Sequence, residues 1–215
     1  MGPTRPILRA GLTGGIASGK TTVGHILAEL GAYVLDGDAL AHEVMAPGTP
    51  SHEEIVARFG REILDGEGRI HRPTLARMVF HDAEARRALN AIVHPRVGAE
   101  AARRIDAYAP RGRAPIAVFD AALLVESGIY RDFHRLIVVS CGRETQIRRL
   151  LARDGLGTDE AEARIDSQAP LDDKLAVADY VIDTEGTLRQ TRRQTERVYA
   201  ALLADFESEF GPPHE

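Results

Sequence analysis

Residues 14–21 read Gly14-Gly15-Ile16-Ala17-Ser18-Gly19-Lys20-Thr21 and meet the spacing G-x-x-x-x-G-K-[ST] at every fixed position. No other feature narrows the fold so far. The pattern is useful only where a strand feeds the chain into a glycine turn and a helix carries it out. The flanks supply both. Residues 8–13 form a short, mostly apolar run that reads as a buried strand. From Lys20 to Leu30, Val23, Ile26, Leu27 and Leu30 recur at helical spacing, and Gly31 stops the run. Residues 32–35 give a second short strand, followed by Asp36. Strand, glycine turn, helix, strand is a βαβ unit, which requires a parallel sheet covered by helices, an α/β fold.

The chemistry of the loop explains its residues. A polyphosphate carries several negative charges and has to be gripped at close range. Glycines let the backbone curl until several N–H groups point inward. The helix that starts at Lys20 adds its positive end. The Lys20 ammonium can reach the β- and γ-phosphates, and the Thr21 hydroxyl can bind the Mg²⁺ that bridges them. Gly14, Gly15, Ile16, Ala17, Ser18, Gly19, Lys20, Thr21 and Thr22 are the candidate ATP contacts, with Mg²⁺ as the accompanying metal. A glycine turn that binds nothing would look the same over eight residues. The position after a strand and before a helix argues against it. So does the scarcity of lysine: among 27 basic residues only Lys20 and Lys174 are lysines.

Farther on, residues 38–110 carry apolar residues at helical spacing, with breaks at Pro47-Gly48-Thr49-Pro50, Asp65-Gly66-Glu67-Gly68 and Pro95, and no convincing strand. They read as an inserted helical subdomain. The sheet resumes at 115–120, 135–140 and 180–182, and 187–210 reads as a long final helix. The expected division is a nucleotide-binding core of 1–37, 111–150 and 176–215, a helical subdomain of 38–110, and a small lid of 151–175.

Strand ends in an open parallel sheet face the ligand crevice. Asp36-Gly37-Asp38 ends the second strand, so one of its carboxylates can take the proton of an attacking hydroxyl. Either can equally cap the next helix. Asp120 closes an apolar strand and can hold Mg²⁺ together with Thr21, or cap the following turn. Glu126 reads as structural, and Cys141 as a small core residue. His42 can approach the acceptor or pair with Glu43. Arg148, Arg149, Arg153 and Arg164 cluster around the lid, where a planar guanidinium suits phosphate oxygens. An Arg-rich solvated helix face would look alike.

Several blocks together resemble the dephospho-CoA kinases. Residues 11–21, Asp36-Gly37-Asp38, Leu89-Asn90-Ala91-Ile92-Val93-His94-Pro95, Leu123-Leu124-Val125-Glu126-Ser127-Gly128, the 146–153 helix and Ala178-Asp179-Tyr180-Val181-Ile182 follow that family's order over about residues 8–205. The loop block is shared with many kinases. The two blocks around His94 and Glu126 are far more specific. The resemblance implies a P-loop NTPase fold: a parallel sheet with helices on both faces, an inserted helical CoA subdomain and a small helical lid. It implies that ATP phosphorylates the ribose 3′-hydroxyl of dephospho-CoA. By position, Lys20 would stabilise the transferring group, Asp38 would be the base, and Arg149 would neutralise phosphate charge. His94 becomes a candidate substrate contact. Ala17 for the commoner Gly is permitted by the general loop pattern. Two residues depart from the family's pattern: Ala122 for Pro, and Thr184 near a position that often holds Asn. The last touches the expected adenine-side contacts.

Composition sets the outer limits. The net charge is −5 with no long basic run, so nucleic acid is not an expected partner. One cysteine excludes an internal disulfide framework. No apolar stretch is long enough for a membrane span. A cytoplasmic monomer or weak homo-oligomer is expected. Other small-molecule kinases, acting on nucleosides, nucleotides or sugar acids, share the loop and a strand-end acid; an ATP-binding switch shares the loop alone.

Overall fold

In a computed structural model of the chain, residues 6–80, 82–108 and 115–211 are described. They divide into two compact units, one of residues 1–35 and 105–215, the other of residues 36–104.

The first unit is built on a five-stranded sheet. In chain order β1 is Leu8–Gly14, followed by α1 (Lys20–Glu29) and β2 (Tyr33–Asp36). The second unit then holds α2 (Gly37–Val44), α3 (Pro50–Phe59), α4 (Arg72–Phe80) and most of α5 (Ala83–Tyr108). The sheet resumes with β3 (Ile116–Asp120), α6 (Leu124–Ser127), β4 (Arg135–Ser140), α7 (Arg143–Asp154), α8 (Thr158–Asp166), α9 (Leu171–Leu175), β5 (Tyr180–Asp183) and α10 (Leu188–Phe210). The strand order is β2-β3-β1-β4-β5. β1 pairs in parallel with β3 and β4, and β4 with β5. β1 is therefore central, and its C-terminal end, where the glycine turn begins, is flanked by two strands.

Burial on both faces explains why these strands read as unbroken apolar runs. Leu8, Leu12, Val23, Leu27, Ile116, Val118, Ile137, Val139 and Ile182 form one core with Val198, Leu202 and Phe206 of α10. Aliphatic side chains do nearly all of this packing in a chain without tryptophan. α10 is started by a capping box: Thr187 caps the Gln190 N–H, and Gln190 returns to the Thr187 N–H.

The helical unit has its own core of Ile55, Phe59, Ile63, Leu75, Ala85 and Val93. Two of the expected breaks are real. Thr49 caps α3 with Pro50 at its first position. The Asp65 carboxylate gathers the N–H groups of Glu67 and Arg69, both at 2.9 Å, and Gly68 takes φ 76°. The third expected break is corrected: Pro95 lies inside α5, which runs on through it. An interior proline forfeits one helix bond and costs about 3 kcal/mol. Packing holds the helix, since Val93 is buried and Ile92 and Val97 lie against the same cluster. Among the described residues no helix is long and apolar enough to cross a membrane.

Candidate phosphate-transfer site

Where β1 enters the turn there is no room for a side chain. A Cβ on Gly14 would sit 2.5 Å from the Val139 carbonyl oxygen and 2.7 Å from Ser18 Oγ. A Cβ on Gly15 would sit 2.5 Å from Gln146 Nε2. Gly19 takes φ 93° and hands the chain to α1 without any side-chain cap, and the first turn of α1 has no acidic residue. The positive end of that helix is thus left to a ligand anion. The Ser18 N–H closes the turn on the Gly15 carbonyl at 3.0 Å.

Ala17 takes φ 58°, the left-handed region, which costs a residue with a Cβ about 1–2 kcal/mol. Neighbouring side chains hold the outer, carbonyl side of the turn. Gln146 donates to Ile16 O at 2.8 Å, Arg149 to Ala17 O at 3.1 Å, and the Thr184 hydroxyl to Ser18 O at 2.5 Å. Gln168 accepts the Ile16 N–H at 2.6 Å.

The parallel register sets Asp120, the last residue of β3, beside Leu12 of β1. From there its carboxylate ion-pairs with Lys20, with only 17% of one side chain and 14% of the other exposed. Gly24 of α1 leaves room for it, since a Cβ there would stand 3.3 Å from Asp120 Oδ2. A strand-end carboxylate near the helix that carries the Thr21 hydroxyl is a donor set of hard oxygens. That suits Mg²⁺, which takes one or two protein oxygens and fills the rest of its shell with phosphate and water.

The structure therefore brings residues 14–22, Asp120 and Arg149 together in one unit. Arg149 meets the loop from its carbonyl side, and also bonds Thr184 at Oγ1 (3.0 Å) and at its carbonyl (2.6 Å). Arg148 bonds Thr145. Arg153 pairs with Asp154, and Arg164 with Glu160 and Asp154, as exposed ion pairs worth little. Glu126 pairs with the second lysine, Lys174, which is 1% exposed. Cys141 is buried, and that burial pushes its thiol pKa up. The Ala122 carbonyl accepts from Thr13 Oγ1 at 2.9 Å and from Lys174 at 3.3 Å, which steadies the turn where the pattern expects Pro.

Asp38 and His94 belong to the helical unit. There Asp36 is the N-cap of α2, accepting the Asp38 and Ala39 N–H groups at 2.9 Å. Asp38 follows in the first turn with its side chain exposed. Arg72, which the sequence did not single out, acts on Asp38 as an opposite charge. His42 is held below its usual pKa, first by burial and then by Arg72, against the opposing pull of Asp38 and Asp36. Burial likewise lowers His94.

Sequence reasoning missed Gln146 and Gln168, and it read Thr184 only as a departure. The i, i+3 spacing of Gln146 and Arg149 on one helix was the available signal for the first.

Comparison with known proteins agrees with this geometry. Residues 8–190 match the family model described as dephospho-CoA kinase. The chain is 49% identical over 191 residues to the dephospho-CoA kinase of Symbiobacterium thermophilum, covering 89% of this chain and 80% of that protein. Among solved structures it is similar to TT1252 from Thermus thermophilus, with TM-score 0.78 and 35% identity over 92% of this chain and 99% of that one. It is also similar to the dephospho-CoA kinase from Campylobacter jejuni, with TM-score 0.64 and 27% identity over 90% of this chain and 96% of that one.

Proposed function

This chain belongs to the dephospho-CoA kinase family, and from that premise we propose how its own residues divide the work of the reaction. It is an ATP-dependent kinase that phosphorylates dephospho-CoA in coenzyme A biosynthesis. The observation that carries the reading is the glycine turn, closed to a side chain at Gly14 by the Val139 backbone and opening on an uncapped helix start.

In this reading the acceptor is the ribose 3′-hydroxyl. Its oxygen forms the new bond to the γ-phosphorus while the bond to the β,γ-bridging oxygen breaks. The loop N–H groups and the start of α1 hold the polyphosphate, and Lys20 meets the charge of the transferring group. Thr21 and Asp120 would hold Mg²⁺, which when bound neutralises charge across the β- and γ-phosphates. Asp38 takes the hydroxyl proton. Its exposed place in the first turn of α2, with Asp36 already used as the cap, supports that assignment. Arg149 supplies positive charge at the loop, and His94 a contact in the CoA subdomain. Residues 151–175 act as the lid, and a cytoplasmic setting belongs to the same reading.

The test is ADP release with ATP, Mg²⁺ and dephospho-CoA, with the product's phosphorylated position read by mass fragmentation. Lys20→Met should abolish turnover with the fold intact by circular dichroism, although loss of the ion pair with the Asp120 carboxylate lowers the melting temperature. Faster turnover with a nucleoside or sugar acid than with dephospho-CoA would overturn the acceptor.

A further inference from the structure

Among the described residues, Ala17 is the only one other than glycine with a positive φ, 58°. The left-handed region favours glycine because a Cβ crowds the following carbonyl. Such a conformation persists where the surroundings over-determine it. Gln168 and Thr184 hold the outer peptides of the turn, and two side chains of α7 hold the two planes that flank Ala17. The peptide plane before Ala17 is gripped at Ile16 O by Gln146 Nε2, at 2.8 Å. The plane after it is gripped at Ala17 O by Arg149 Nη1, at 3.1 Å. Residues 146 and 149 are three apart on one helix and share a face. Across a trans peptide the N–H points opposite to the C=O. Turning Ile16 O toward α7 therefore turns the Ala17 N–H away from it, while the Ser18 N–H is spent within the turn on Gly15 O.

The contact with Gln146 is specific in its polarity. Its amide donates to a carbonyl, and its nitrogen lies where a Cβ on residue 15 would collide. Arg149 is itself braced by two bonds to Thr184. α7 thus grips both sides of the one strained residue of the loop.

We propose that Gln146 is a positioning residue for phosphoryl transfer: with Arg149 it fixes the two peptide planes flanking Ala17 and keeps the loop in its binding shape, a task that glycine at position 17 would make unnecessary. This rests on the loop being the nucleotide site, as proposed above.

The test is a rescue. Gln146→Leu should raise the KM for ATP about tenfold, equivalent to about 1.4 kcal/mol, with a smaller change in kcat and an unchanged melting temperature. Adding Ala17→Gly to that variant should bring the KM back to within about threefold of wild type, because glycine holds φ near 58° at no steric cost. Gln146→Glu, which sets an acceptor against Ile16 O, should lose as much as Gln146→Leu. Gln146→Lys keeps a donor and should lose less. The same ordering should hold for ATP affinity measured by calorimetry without acceptor. Wild-type ATP affinity in Gln146→Leu overturns the proposal, and so does a loss that Ala17→Gly leaves untouched. If Gln146→Leu fails to fold, equal losses in the Glu and Lys variants overturn it instead. A wild-type enzyme that binds ATP but does not turn over dephospho-CoA would overturn the proposed function alone, since the calorimetric ordering still decides this inference.

Discussion

Two carboxylates that spacing alone could not tell apart are separated by hydrogen bonding. The sequence presents Asp36-Gly37-Asp38 at the end of a strand, and either acid can cap a helix or accept a proton. Asp36 takes two N–H groups of α2 and is committed to that helix, whereas Asp38 stands exposed in its first turn. The two residues should therefore respond oppositely to substitution. Asp38→Asn should lower kcat by about 10²–10⁴, the usual range for a lost general base, with ATP affinity kept. Asp36→Ala should cost about 1 kcal/mol of stability, while Asp36→Asn, itself a good cap, should cost far less. Thermal melts and steady-state kinetics on the three variants read this directly. Wild-type kcat in Asp38→Asn would remove the base. The loop residues were legible because their chemistry is local to eight positions. Gln146, Gln168 and Thr184 were not, because their partners lie 130, 152 and 166 residues away in the chain.

Elements show the same division. β1, α1, β3, β4, β5 and α10 were readable, since each carries one period from end to end. α5 was not, because Pro95 is locally a break and only packing onto Val93 and its neighbours keeps the helix whole. Lysine scarcity marked Lys174 as a residue kept for a reason, but the reason needs the fold. Lys174 of α9 is buried and paired with Glu126 of α6 at 2.5 Å, and the same carboxylate oxygen accepts the Ala169 N–H at 3.1 Å. The pair joins two short helices that local propensity alone would hold poorly. Lys174→Met leaves a partly buried carboxylate without its cation and should cost about 3–5 kcal/mol. Changing Glu126→Gln in the same chain removes the stranded charge and should recover more than about 1 kcal/mol of that loss. Urea midpoints of the two single variants and the double variant measure the coupling, and strict additivity would show that the pair is not a unit.

For the whole molecule, the inserted segment was visible as a change of period, from short strands to helical spacing. What the sequence could not show is that each unit encloses a core of its own. Two separate cores allow two stabilities, which unfolding followed by two probes decides, and their titrating groups differ. His42 and His94, both held below the ordinary histidine value of 6.5, lie in the 36–104 unit. Above pH 6.5 each is neutral whether folded or unfolded, so the stability they allow is fully present there. As the pH falls through 6.5 the unfolded chain takes up protons before the folded chain does, and stability is lost toward the lower folded value. The fluorescence of the chain can distinguish the units. It has no tryptophan, and its five tyrosines, at 33, 108, 130, 180 and 199, all lie in the sheet-bearing unit. Between pH 7 and pH 5 the far-UV circular dichroism midpoint, which reports helices of both units, should therefore fall more than the tyrosine midpoint. His94→Gln should shrink the difference without moving the tyrosine trace, since burial is what lowers His94. Equal acid shifts by both probes in the wild type, unchanged in His94→Gln, would mean that neither histidine sets the acid limit and that the two cores unfold as one.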